Sequence, residues 1–258
     1  MAYDNLSTNY DAEQGSAMIS FTTQLLSGLQ IPKSPIALDV GCGTGIATFE
    51  LIKKTGGKGT FYGIDLSQRM VDLARKRALE FNRFNVEFCK GNAEKMDFAE
   101  SSFDLIISNQ VFHWITNKEA ALEEMFRVLK PKGKVALVFQ GGPSFENLFE
   151  AYDKVRQYHP EYALSKSPRS PTLKETKELF ENVGFEEKSV YQIRKTTSIH
   201  PSFLWTNKDL TTSPWKIGVS LEKAEEVQRE IRTELKRKRR DEWDKTTIYY
   251  IFGIATKK

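Results

Sequence analysis

Short apolar runs alternate with helical patterns between residues 36 and 139, and this alternation limits the possible folds more than any other feature. Runs of strand length occupy residues 36–40, 60–65, 86–91, 103–108 and 134–139. Between most of them, apolar residues recur at the spacing of an amphipathic helix. Strand–helix–strand units of this length connect with right-handed crossovers, so the pattern predicts a doubly wound α/β fold with a mostly parallel sheet.

Two further strands are predicted towards the C-terminus, which brings the sheet to seven strands. Residues 186–197 predict the sixth strand, and residues 246–256, apolar on both faces, predict a central last strand. Ser67, Asn117 and Thr172 are predicted to begin helices as N-caps. The "PKG" at residues 131–133 predicts the end of the helix before the fifth strand.

The domain organisation follows from where this alternation stops. Residues 1–258 are predicted to form a single domain, with the regular alternation confined to residues 36–140. Residues 143–171 and 199–244 interrupt the pattern, and the second segment is an insert before the last strand. That second segment contains an amphipathic helix.

A glycine-rich turn, "LDVGCGTG" at residues 38–45, leaves the first strand and opens a helix. A ligand that touches the backbone at such a turn needs missing side chains and positive φ angles. The helix that follows offers unpaired N–H groups. Asp65 closes the second strand 20 residues after Gly45, where a carboxylate can accept both ribose hydroxyls of a nucleoside.

Two nucleoside cofactors compete for this turn. Nicotinamide dinucleotides favour G-x-G-x-x-G, whereas this chain reads G-x-G-x-G with Ile46 in place of the late glycine. Asp39 precedes the first glycine and argues against a phosphate at that position. A carboxylate there favours a cationic group, such as the amino group of a methionine moiety.

Five motifs, in order, now identify a family resemblance. They are "LDVGCGTG", "GIDLS", "GNAEKMDFAESSFD", "SNQVFHW" and "RVLKPKGKV". Together they resemble the class I S-adenosylmethionine-dependent methyltransferases, whose fold is Rossmann-like. The "HW" of the fourth motif and the late "WDKTTIYYI" are similar to a small-molecule subgroup. That subgroup contains trans-aconitate methyltransferases and the carrier-protein malonyl O-methyltransferase.

The resemblance implies S-adenosyl-L-methionine as the cofactor and S-adenosyl-L-homocysteine as its product, with no metal ion. It makes residues 36–140 the cofactor-binding core and residues 143–171 and 199–244 a small helical cap that binds substrate. It places the glycine-rich turn against the methionine end of the cofactor and Asp65 at the ribose hydroxyls. Leu66 and residues 92–93 would contact the adenine, and residues 109–110 would lie beside the methionine portion. The family usually has Asp at position 92, where this chain has an Asn that still accepts a hydrogen bond. The implied cofactor-binding residues are Tyr10, Asp39, Gly41, Cys42, Gly43, Gly45, Asp65, Leu66, Asn92, Ala93, Asn109 and Gln110.

His113 and Trp114 follow the fourth strand and are the candidate catalytic residues on the acceptor side. Alignment of an activated methyl group with its acceptor can contribute roughly 7–11 kcal/mol without any base. A carboxylate acceptor needs no base, whereas an amine or hydroxyl does. We therefore expect O-methylation of a carboxylate on a small molecule, held by cap cations among Arg169, Arg194, His200 and Lys208. The alternatives are C- or N-methylation of a small metabolite, or an inactive protein that only binds the cofactor.

Composition narrows the partners. A net charge of +4 is too mild to predict nucleic-acid binding, and two cysteines provide neither a disulfide framework nor a metal cluster. No run reaches the roughly 18 apolar residues of a membrane span, so we expect a cytoplasmic protein. The basic run at residues 236–240 is interpreted as a solvated helix end. The alternatives are docking of an acidic carrier protein or another anionic partner, and binding of nucleic acid.

Overall fold

A computed structural model describes residues 10–83, 85–144, 146–158, 160, 170–198, 221–239 and 245–258. Seven strands form one sheet in the order β3-β2-β1-β4-β5-β7-β6, in which β7 is antiparallel to both of its neighbours and β1 to β5 are parallel. The predicted seven-stranded, mostly parallel sheet is therefore confirmed. The strands are β1 Ile36–Val40, β2 Thr60–Asp65, β3 Val86–Lys90, β4 Phe103–Asn109, β5 Leu129–Gly141, β6 Glu186–Ser198 and β7 Lys245–Thr256.

Helices cover both faces of the sheet, because its strands are apolar on both sides. One face packs on α1 and α2 through Leu25, Leu51 and Ile107. The other packs on α4 and α6 through Leu122 and Phe180. The helices are α1 Tyr10–Ser27, α2 Ile46–Lys54, α3 Gln68–Glu80, α4 Lys118–Val128, α5 Glu146–Tyr158, α6 Leu173–Val183 and α7 Leu221–Arg239, with a 3-10 turn at Phe112–Trp114.

Local capping chemistry sets three of these helix starts. The side chains of Ser67 and Asn117 accept hydrogen bonds from the backbone N–H groups at positions 70 and 120. Thr172 and Glu175 form a reciprocal capping box. These predicted caps are confirmed.

The fifth strand begins earlier than predicted. Helix α4 ends at Val128 and β5 starts at Leu129, so "PKG" lies within the strand and does not stop the helix. Leu129 is fully buried and pairs with Phe103, before a β-bulge shifts the register at Leu105. Lys132, within "PKG", has a φ angle of 64°, and β5 advances from Leu129 to Lys134 while β4 advances only from Phe103 to Leu105, so the turn signal appears as a bulge inside the strand.

Helix α7 lies between β6 and β7 in sequence, as the predicted insert requires, and it packs on α5. Ile231 and Leu235 are buried, and Lys154 forms an ion pair with Glu234 across the two helices. The division into core and cap, and the docking of an acidic carrier on the basic end of α7, stay predictions. Among the helices within the described ranges, none combines the length and apolar character needed to cross a bilayer.

Candidate functional site

The glycine-rich turn connects β1 to α2 and is hydrogen-bonded to the end of β2. The N–H groups of Gly41 and Cys42 both donate to the carbonyl oxygen of Ile64, at 2.8 and 2.9 Å. Gly41, Gly43 and Gly45 have φ angles of 75°, 53° and 88°, a region that other residues rarely adopt. Glycine is therefore needed at each position for the backbone to turn.

Only one of these glycines borders empty space. A Cβ atom on Gly41 would lie 2.3 Å from Cγ2 of Val111, so Gly41 makes room for the protein's own packing. A Cβ on Gly45 would collide with Phe49 at 2.7 Å. A Cβ on Gly43 would meet nothing within 4 Å. Gly43 is thus the position at which a ligand can approach the backbone.

Asp65 ties the turn to the start of α3. One carboxylate oxygen accepts from the N–H of Gly43 at 2.9 Å, and the other accepts from the N–H of Ser67 at 2.9 Å. A carboxylate oxygen can accept more than one hydrogen bond, so these contacts are compatible with the predicted ribose role. Asp65 therefore also stabilises the turn, a role that the sequence did not indicate.

We expect Asp65→Ala to lower both the affinity for S-adenosylhomocysteine and the free energy of unfolding. The two N–H groups would lose their acceptor, which costs roughly 1–3 kcal/mol each where they are buried. Calorimetry and thermal unfolding measure the two effects. Asp72→Ala, on the exposed side of α3, is the matched control and should change neither. Unchanged ligand affinity in Asp65→Ala would refute the ribose assignment.

Asp39 is a buried carboxylate with one partner. Its Oδ2 accepts from the hydroxyl of Thr48 on α2 at 2.6 Å, while its Oδ1 has no donor among the described residues. Burial raises the pKa of Asp39 to about 7, and the charge of Asp65 adds to the rise, while the Thr48 hydrogen bond opposes it. The group therefore changes its charge near neutral pH.

Asn109 ends β4 on the same face of the sheet as Asp39. It lies two residues beyond Ile107, the register partner of Asp39, and side chains two apart share a face. Its Nδ2 donates to the carbonyl oxygen of Met18 at 2.9 Å and to Oγ1 of Thr22 at 2.8 Å. Its buried Oδ1 has no donor within the described ranges. The ends of β1 and β4 thus each hold one buried acceptor without a donor.

Gln110 supplies a buried hydrogen-bond donor beside these two acceptors. Its backbone N–H donates to the carbonyl oxygen of Val138 at 2.7 Å, and its φ angle of 59° is unusual for a residue with a side chain. Its Nε2 is buried and has no acceptor in the described part of the chain. Strained backbone of this kind often occurs at functional sites.

His113 and Trp114 lie in the 3-10 turn that follows β4. Burial, with a smaller contribution from the nearby charge of Lys118, lowers the pKa of His113 to about 3. The imidazole is therefore neutral at physiological pH and is a poor proton acceptor. The ring centroids of His113 and Trp114 are 4.8 Å apart, and Trp114 is 41% exposed. The arrangement suits hydrogen bonding and packing better than general-base catalysis.

The sequence model described as a methyltransferase domain matches residues 33–182, which is more than half of the chain. The chain belongs to this methyltransferase family. Its relatives include proteins described as demethylmenaquinone methyltransferases. One of them, from Lactococcus lactis, is 31% identical over 71% of this chain and 80% of its own length.

Solved structures share the fold of this methyltransferase. The YcgJ protein of Bacillus subtilis has a TM-score of 0.65 at 19% identity and covers 92% of this chain and 97% of its own. Phosphoethanolamine N-methyltransferase 2 of Haemonchus contortus, solved in complex with S-adenosyl-L-methionine, has a TM-score of 0.60 at 19% identity, covering 92% of this chain and 52% of its own. The predicted enzyme class and cofactor are confirmed. The trans-aconitate and malonyl subgroup stays a prediction.

S-adenosylmethionine fits the described residues of the methyltransferase. Its methionine end carries an ammonium and a carboxylate. The strand ends offer two buried acceptor oxygens, on Asp39 and Asn109, and one buried donor, on Gln110. Gly43 borders open space next to Asp65. These five residues would hold the cofactor.

The remaining predicted cofactor residues are exposed, or contribute to their own loop or to the core. Leu66 is 51% exposed beyond β2, where an adenine could cover it. The side-chain oxygen of Asn92 accepts from the N–H of Glu94 at 3.0 Å, so it also serves its own loop. Ala93 is partly buried and packs against the core. The Cys42 thiol is buried, and burial raises its pKa well above the usual value, so it is not a nucleophile.

Some candidates lie outside the described residues. Tyr10 begins α1, but its side chain is among those not described. The cap cations Arg169, His200 and Lys208 are also outside the described ranges, and Arg194 is exposed on β6. Their predicted roles stay predictions. The described part of the chain contains no group of three or more His, Cys, Asp or Glu side chains that could hold a metal ion.

Sequence reasoning missed two buried hydroxyl groups that orient the site. Thr48 holds Asp39, and Thr22 holds Asn109. Both are buried on helix faces that otherwise carry apolar residues. The sequence does place each threonine on the apolar face of an amphipathic helix. Because a buried hydroxyl needs a hydrogen-bond partner, this position predicts a buried polar contact.

A cavity of about 790 Å³ opens beside the carboxyl end of β5. Its walls come from the segment after the 3-10 turn, the end of β5 and helix α6. Lys118 is the one cationic side chain among the described lining residues. The acidic lining residues are Glu119, Glu146, Glu150, Glu175 and Glu178.

Proposed function

We propose that this S-adenosylmethionine-dependent methyltransferase methylates a ring carbon of an uncharged aromatic acceptor, a hydroquinone. Relatives described as demethylmenaquinone methyltransferases support the acceptor class, at 28% and 31% identity over about 70% of the chain. The likeness to these relatives carries the choice against a carboxylate, and the mostly acidic lining of the cavity beside β5 supports it. The predicted O-methylation of a carboxylate becomes the alternative.

The cavity lining is unfavourable for an anion. Lys118 donates to the carbonyl oxygen of Ile115 at 2.7 Å, and burial lowers its pKa. Glu175 accepts from the N–H of Thr172 and Glu178 forms an exposed ion pair with Lys174, and the described lining still holds five carboxylates against one lysine. At about 4 Å, two like charges near a protein surface repel by roughly 4 kcal/mol. A neutral ring avoids this repulsion. A protonated amine would be attracted by the acidic lining, so N-methylation of an amine is the second candidate.

The residues of the chain would bind and orient both reactants. When bound, the cofactor supplies a methyl group on a sulfonium, which leaves as a neutral thioether. Asp39 and Asn109 would hold its ammonium group, and Asp65 its ribose. Neutral His113 would accept a hydrogen bond, through its Nδ1, which has no hydrogen-bond partner among the described residues, from a hydroxyl of the methyl-accepting substrate without taking its proton. The overall reaction replaces a ring C–H with C–CH3 and releases one proton, which we assign to solvent.

We expect transfer to a reduced 1,4-naphthoquinone in a panel that also contains amines and carboxylic acids. Mass spectrometry would detect a methyl group that survives both alkaline hydrolysis, which cleaves methyl esters, and hydriodic acid, which cleaves aryl methyl ethers, as a C–CH3 bond does. The oxidised quinone is the matched control and should not react, because its ring is electron-poor. Methyl esters as the sole products would refute the proposal, and methylated amines as the sole products would replace it with the second candidate.

A further inference from the structure

Helix α1 is joined to the end of β4 through one buried polar cluster. The hydroxyl of Thr22 donates to the carbonyl oxygen of Met18 at 2.8 Å and accepts from Nδ2 of Asn109 at 2.8 Å. The same Nδ2 donates to the carbonyl oxygen of Met18 at 2.9 Å. Thr22 is 1% exposed, although its neighbours on this helix face are leucines.

We propose that Thr22 is a positioning residue for cofactor recognition. It holds the amide of Asn109 so that Oδ1 faces the ammonium group of the methionine end of S-adenosylmethionine. This inference rests on the cofactor site described above. It assigns a role to a residue of the N-terminal helix, 87 residues away from Asn109 in sequence.

The chemistry of the cluster determines which way the amide points. An asparagine amide has a donor end and an acceptor end of nearly the same shape, so packing alone does not orient it. The carbonyl oxygen of Met18 can only accept. The proton of the Thr22 hydroxyl is already donated to that oxygen, so the hydroxyl oxygen can only accept from Asn109. Both partners on α1 therefore require the NH2 end, which leaves the buried oxygen turned away from α1.

The orientation matters because the expected ligand group is a cation. In the observed orientation, the unpartnered Oδ1 of Asn109 and Oδ1 of Asp39 can both accept from an ammonium group. A flipped amide would present its NH2 to the same cation, which is repulsive and leaves the cation with one fewer acceptor. Loss of Thr22 removes one of the two contacts that prevent the flip.

Two ligands separate recognition of the methionine end from general effects on the site. S-adenosylhomocysteine carries the amino-acid end, whereas 5′-methylthioadenosine lacks it. We expect Thr22→Val to weaken binding of S-adenosylhomocysteine by about tenfold, and to leave binding of methylthioadenosine within about twofold, both measured by calorimetry. Thr22→Ser keeps the hydroxyl and is expected to restore the wild-type affinity for S-adenosylhomocysteine.

If Thr22→Val does not fold, Thr22→Ala removes the same hydroxyl and is expected to show the same selective loss. A variant of Asn109 tests the other side of this contact. Asn109→Ala should cause the same selective loss of S-adenosylhomocysteine affinity. Where both variants fold, adding Thr22→Val to Asn109→Ala should cause no further loss, because the two act through one group. Equal weakening of both ligands, or no weakening of S-adenosylhomocysteine, would overturn the role of Thr22. A wild-type protein that binds neither ligand would instead overturn the cofactor site itself.

Discussion

Asp39→Asn is expected to stabilise the ligand-free protein above pH 7 and to weaken its binding of S-adenosylhomocysteine. Burial raises the pKa of Asp39 from 3.8 to about 7. Between these two values the folded state keeps the proton that the unfolded state has released. The free energy of unfolding therefore falls as the pH rises through this window, by up to about 1.4 kcal/mol per pH unit. Asparagine has no charge to bury, so the variant does not lose these few kcal/mol of unfolding free energy.

Thermal unfolding at several pH values would test the stability effect. The melting temperature of Asp39→Asn should exceed that of the wild type by an amount that grows between pH 5 and about pH 7 and then levels off. Asp72→Asn is the matched control, since Asp72 is exposed on α3, and its difference from the wild type should not grow over this range. A difference for Asp39→Asn that stays constant with pH would show that Asp39 is not a buried carboxylate of raised pKa.

The same carboxylate makes ligand binding depend on pH. An ammonium group binds the charged form, so below about pH 7 a proton must leave before the ligand binds. We expect the affinity of the wild type for S-adenosylhomocysteine to fall by up to about tenfold per pH unit below that value. In Asp39→Asn the affinity should be lower at pH 8 and nearly independent of pH from 6 to 8. An affinity of the wild type that does not change over this range would argue against an ammonium group at Asp39.

Gly43→Ala is expected to weaken cofactor binding at least tenfold while the protein stays folded. The φ angle of Gly43 is 53°, so alanine costs about 1–2 kcal/mol of backbone strain. Its Cβ would meet no protein atom within 4 Å and would occupy the space that a ligand at the turn needs. We expect the dissociation constant of S-adenosylhomocysteine to rise at least tenfold, which corresponds to about 1.4 kcal/mol.

Gly56 provides a matched control for this substitution. It has a φ angle of 64°, and a Cβ there would also meet nothing within 4 Å, but it lies in the turn between α2 and β2, remote from Asp39 and Asp65. Gly56→Ala should therefore carry a similar strain and leave ligand affinity unchanged. Calorimetry and thermal unfolding of both variants compare the effects. Equal affinities in the two alanine variants would show that the ligand does not approach the backbone at Gly43.

The sheet was predictable because its signals are local. Apolar runs, a glycine turn and capping residues each depend on residues within a few positions of one another. The same reasoning missed the start of β5 at Leu129, because its pairing with Phe103 is a contact between two separate strands. It also left the acceptor open, because the described cavity draws on three separate segments of the chain.

The sequence by itself determined the doubly wound sheet, the family and the position of the cofactor turn at the end of β1. Only the tertiary structure decided how the individual side chains behave there. Gly43 faces open space while Gly41 faces Val111, Asp39 holds a proton up to about pH 7, and Asn109 is oriented by Thr22. These properties arise from desolvation and hydrogen bonds between residues far apart in sequence, and such contacts exist only after the chain has folded.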